Sequence, residues 1–142
     1  MKKLFTYIGC LGVLGVAYVI GATVAVSRHA QAVETGKTAL TRLSAKFTDQ
    51  VQVLPVSSHL TFVVTSPILQ DQVRDIEALV VPKCLSEIKT KLVARSKETS
   101  DSVVGFLHRT TEPAQTATDI RASMNFNKTL ADTLVDACKK EM

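Results

Sequence analysis

Tryptophan is absent from this sequence, aromatic residues make up 5% of it, and its 142 residues include only 4 prolines, 6 glycines and 3 cysteines. With so few aromatic rings there is no platform for stacking bases or sugars. A block of like charge is missing too. Of the 17 basic residues, Lys2 and Lys3 precede a long uncharged run, and the others are interspersed with 13 acidic ones. That near-balance is the pattern of a solvated mixed-charge surface and argues against nucleic-acid binding. His29, His59 and His108 have no partner at metal-ligand spacing, and there is no Cys-x-x-Cys pair. Ser57-Ser58 beside His59 lacks the Gly-x-Ser-x-Gly setting of a shaped nucleophile. The acidic pairs Asp71/Asp75 and Asp132/Asp136 have lysines and arginines among them, as solubility requires. Gly9, Gly12, Gly15 and Gly21 fall inside the uncharged run, so no glycine loop is left to cradle phosphate. Asn127-Lys128-Thr129 matches a glycosylation sequon, a common chance match that here lies in a predicted helix. The residues therefore point to no catalytic site, no metal and no cofactor, and the chain reads as a non-enzyme.

What is present begins with Leu4–Val26, a run with no charge and no proline. A bilayer core is about 30 Å thick and takes about 20 helical residues to cross, so 4–26 is expected to be a transmembrane helix behind a short cytoplasmic tail, 1–3. The competing reading is a signal peptide cut after Ala30-Gln31-Ala32. The apolar run is long for a signal, and Arg28 and His29 lie between it and that site. The short basic start favours amino-end-in, although Arg28, Lys37, Arg42 and Lys46 follow the run. Ala17, Gly21 and Ala25 recur every four residues and form a small-residue face through which two such helices could approach closely.

Beyond the run no proline occurs before Pro55, so the helix is expected to continue as an amphipathic stem over 27–50, with Ala30, Val33, Leu40, Leu43 and Phe47 on one stripe. That stripe must be buried against its own domain or a second copy. Gly36 weakens the stem by up to about 1 kcal/mol. From Val51 to Ser66 the pattern changes. Leu60, Phe62 and Val64 alternate with Thr61, Val63 and Thr65, and β-branched residues dominate, which predicts a β-hairpin or an extended linker over 51–66. Ser66-Pro67 then reads as a helix start, with Leu69, Val73, Ile76 and Val80 on one face and Pro82 at its end. A second helix follows from about Lys83 and is expected to break near Thr99-Ser100, where its apolar face turns polar. Thr110–Ala117 reads as a loop, and a last helix is expected from about Thr118 to Lys140.

The fold class expected is mainly α: a transmembrane helix, a stem, a hairpin or linker, and a head of about three helices over 67–142. Cys84 and Cys138 fall at opposite chain ends of two head helices. Antiparallel packing would bring them together, and in an oxidising compartment they are expected to form a disulfide. The functional expectation is a single-pass, envelope-facing interaction or accessory protein. Its partners would be the lipid bilayer, another protein and, through the small-residue face, a second copy. The alternative is a cleaved, exported binding protein for a small apolar ligand.

Overall fold

The computed structural model of the chain describes residues 28–54 and 59–139. Among these residues there are four helices and no strand. We label them α1 (28–52), α2 (His59–Ala78), α3 (Lys83–Leu107) and α4 (Pro113–Ala137). Short connections at 79–82 and 108–112 turn the chain back on itself, so consecutive helices run antiparallel, the usual outcome of short links in a bundle. Cross-helix contacts give the register. Lys89 Nζ donates to the Glu77 carbonyl (2.7 Å), Thr99 Oγ1 to the Asp119 carbonyl (3.4 Å), and Asn127 Nδ2 to Thr48 Oγ1 (2.6 Å).

The stripe of α1 is buried within its own bundle. Val33, Leu40, Phe47 and Leu54 recur every seven residues and are all inaccessible, with Val51 beside them. Gly36 allows this close approach. A Cβ there would come within 3.0 Å of Leu85 Cδ1 and 3.1 Å of Pro82 Cδ, so the lost helix propensity is offset by contact with the start of α3.

Residues 51–54 and 59–66 correct the sequence reading, since these described residues contain no strand. Val51 and Gln52 complete α1, and Leu60–Ser66 belong to α2. Tertiary packing overrides the strand propensity. In helical geometry Phe62, Thr65, Ser66, Leu69, Val73 and Ile76 share one buried face, and the Phe62 ring packs against Phe106 of α3 with centroids 4.9 Å apart. Pro67 is therefore inside a helix rather than at its start. It removes the N–H that would bond the Val63 carbonyl, on an exposed side where water can replace it.

Two further boundaries move. No break occurs at Thr99-Ser100. Ser96, Thr99, Ser100 and Ser102 are buried, and Thr99 Oγ1 bonds the Arg95 carbonyl one turn back at 3.0 Å. A buried hydroxyl residue can stay in the helix when, like Thr99, it has such a backbone acceptor. The last helix starts at Pro113, the first helical position, where a missing N–H costs nothing. Between α3 and α4 the chain turns on a Schellman motif: Thr110 N–H bonds the Gly105 carbonyl (2.8 Å) and Arg109 N–H the Phe106 carbonyl (3.1 Å). Arg109 occupies the left-handed position, φ 58°, that usually takes glycine.

The core has two apolar clusters. One joins Val33, Leu40, Ile76, Leu85, Ile88, Leu92, Leu130 and Leu134. The other joins Phe47, Val51, Leu54, Phe62, Leu69, Val73, Val103 and Ile120. At the level between them lie buried Ser44, Gln72, Ser96 and Ser123. The Cys84–Cys138 disulfide is formed, with Cα atoms 5.3 Å apart, and it ties the start of α3 to the end of α4.

Among the described residues no helix is long and apolar enough to cross a membrane. The run 4–26, and with it Cys10 and the face of Ala17, Gly21 and Ala25, lies outside the described residues.

Candidate interaction surface

One face of α2 is the clearest candidate for a functional surface. Its inner face is already used for packing. Its outer face carries Leu60 (70% exposed), Val63 (49%), Val64 (59%) and Ile68 (39%), with Pro67 also exposed among them. These positions follow i, i+3, i+4, i+7 and i+8 and so form one continuous row. Single exposed aliphatic residues are ordinary, whereas a contiguous row is a candidate interaction site. The row ends where charge begins: Asp71 and Arg74 pair at 2.9 Å on the next turn. A helix that is apolar on both sides for half its length is normally covered on both sides.

The opposite end of the bundle has a second apolar feature. The α2–α3 connection is Leu79-Val80-Val81-Pro82, and Val80 is 89% exposed. An open groove of about 690 Å³ runs between this connection and the first turns of α1, with Arg28, His29 and Lys83 along it. The disulfide is at the same end, because Cys84 directly follows Lys83.

The remaining chemistry is sparse. Among the described residues no group of three or more His, Cys, Asp and Glu side chains could hold a metal ion. His29 sits on the groove and His108 caps α3. Of the acidic pairs noted in the sequence, Asp71 is engaged by Arg74 and Asp136 by Lys139. Hydrogen bonding and charge from Lys139 hold the Asp136 carboxyl below the usual range, and Lys91 does the same for Glu87. These are surface ion pairs, worth little to stability. The buried middle level is unusual in another way. Neither amide atom of Gln72 has a hydrogen-bond partner, and the same holds for Ser96 Oγ, Ser100 Oγ, Ser123 Oγ and Asn127 Oδ1.

The structure thus brings Cys84 and Cys138 together as expected from antiparallel helices. The outer row of α2 was not legible as a site, because 60–65 reads as a strand. Counting the same residues at helical spacing would have shown apolar residues on two opposed faces. No family model, curated protein or solved structure matches this chain.

Proposed function

We propose that this chain is a single-pass membrane-anchored interaction protein, with its bundle outside the cytoplasm and a protein partner docking on the outer face of α2. The observation that carries this reading is the unpartnered row Leu60, Val63, Val64 and Ile68 on a helix whose other face is already buried. Such a row suits an apolar helix face of a partner, laid along α2 with its anchors at i, i+3 and i+4 spacing. The disulfide supports the location, since such bonds persist in oxidising compartments. The run Leu4–Val26 supports the anchor. A cut after Ala32 would fall inside α1, directly before buried Val33, which favours an uncleaved chain over the exported soluble alternative.

The test uses the full chain in its native membrane. A photo-crosslinking residue at Val64 is expected to give a discrete adduct that is lost when Leu60→Ser and Ile68→Ser are added. The same residue placed at Lys91, on α3, serves as control. Adducts that are the same at both positions, or that survive the serine variants, would remove α2 as the docking face. Release of the chain by alkaline carbonate would remove the anchor.

A further inference from the structure

In the connection between α2 and α3, Val80 has no folding reason to be apolar. Leu79, Val81 and Pro82 are half-buried, and Val81 and Leu79 pack on the cluster that contains Leu85, Ile88 and Leu134, but Val80 projects into solvent. A tip on a tight connection is a place where polar residues serve equally well. The position of this tip relative to α1 gives it meaning. The first described residue of α1, Arg28, lines the same groove as Val80. Only Ser27 separates it from Val26, the last residue of the apolar run. At about 3.6 Å per residue, no more than about 7 Å of chain joins them.

We propose that Leu79–Pro82 is a second membrane contact, with Val80 inserted among the lipid headgroups of the bilayer that holds this chain's own anchor. This rests on the anchor reading given above. Covalent reach then holds the disulfide end of the bundle against the bilayer surface. Among the described residues the groove between Val80 and α1 has Arg28 and Lys83 in its lining and no acidic residue, so its charge suits lipid phosphate. On the other flank Glu77 and Lys89 offset each other, and Lys89 Nζ is bonded to the Glu77 carbonyl. One valine could not bind a membrane from solution. Attached to an anchor it acts at high effective concentration, and interfacial insertion needs only about 5–10 Å of depth. Its effect is orientation. With Val80 in the headgroups, α2 rises away from the bilayer, and at 1.5 Å per residue from its last residue, Ala78, Ile68 lies about 15 Å and Leu60 about 27 Å along it. The outer row of α2 is then held clear of lipid.

The absence of tryptophan gives a clean probe. Full-length Val80→Trp and Leu60→Trp chains are reconstituted into vesicles of phosphatidylcholine and phosphatidylglycerol, with and without acyl-chain-brominated lipid. The expected result is a blue-shifted emission from the Val80→Trp chain, quenched several-fold more than that from the Leu60→Trp chain. A Val80→Trp chain that floats with the vesicles but shows no quenching overturns the contact while leaving the anchor intact. Stronger quenching in Leu60→Trp than in Val80→Trp overturns it as well, because the bundle then lies on its side. A chain that does not float overturns the anchor reading and the contact with it.

Discussion

Reducing the disulfide separates the contribution of the cross-link from that of the sulfur atoms. Cys84 and Cys138 are 54 positions apart. Closing a loop of that length removes unfolded-state entropy equivalent to about 4 kcal/mol at 25 °C. That is a large share of the roughly 5–15 kcal/mol that holds a domain folded. Cys138 is 1% exposed, inside the apolar cluster with Leu85, Ile88 and Leu134. A reduced thiol can remain there as a small apolar group, so reduction should cost the loop term and little packing. The double variant Cys84→Ala, Cys138→Ala should lose about 1 kcal/mol more, for the space the sulfurs leave. The assay is urea unfolding of the full chain in detergent, followed by helical circular dichroism, with and without reductant. The expected order of stability is oxidised, then reduced, then double alanine, with a shift in thermal midpoint on the order of 20 °C at the first step. A first step below about 1 kcal/mol would refute the reasoning. It would mean that the unfolded chain already keeps these two ends together, or that the bridged form is held in a strained arrangement.

Two further changes test the interior and the turn. Gln72 is 2% exposed with neither amide atom paired to protein, so Gln72→Met is expected to raise stability by about 1–3 kcal/mol in the same urea assay; a loss instead would show that the amide is satisfied in solution. Arg109→Gly is expected to stabilise by about 1 kcal/mol by relieving the left-handed backbone at the Schellman turn, and an unchanged midpoint would mean that the arginine side chain supplies a compensating contact.

Much of the bundle was legible because its periodicities are single-faced. Val33, Leu40 and Phe47 stand out as one stripe amid polar residues, and α1 buries that stripe. Leu85, Ile88 and Leu92 do the same for the first half of α3. The cysteine pair follows from antiparallel topology and needs no detailed geometry. The second half of α3 was harder, because its buried positions are Ser96, Thr99, Ser100 and Ser102. A hydroxyl that bonds a carbonyl one turn back, as Thr99 does to Arg95, is compatible with burial, but in sequence it looks like an interruption. Pro113 misled in the opposite sense: it suggests a loop in isolation and a helix start once Glu112 is seen to precede it as the cap.

The misreading of 60–65 has a different origin. Strand patterns are recognised by alternation, and helical ones by an apolar stripe opposite a polar one. The first half of α2 has no polar stripe. Its inner positions, Phe62, Thr65, Ser66 and Leu69, contact the bundle, and its outer positions, Leu60, Val63, Val64 and Ile68, meet solvent. With apolar residues on both faces, the β-branched alternation is the strongest remaining signal, and it points to the wrong element. Folding the single chain requires only the inner face. Four aliphatic residues on the outer face add nothing to the bundle's own core and raise its tendency to associate. A local pattern that conflicts with the global fold is expected where function imposes a second requirement. The segment that defeats the helical reading is thus also the segment to which we assign docking, and the two facts share one cause. From Asp71 onward, where the outer face becomes charged, α2 reads as an ordinary amphipathic helix with Val73 and Ile76 inward. The second requirement is therefore confined to the half of α2 farthest from the disulfide end.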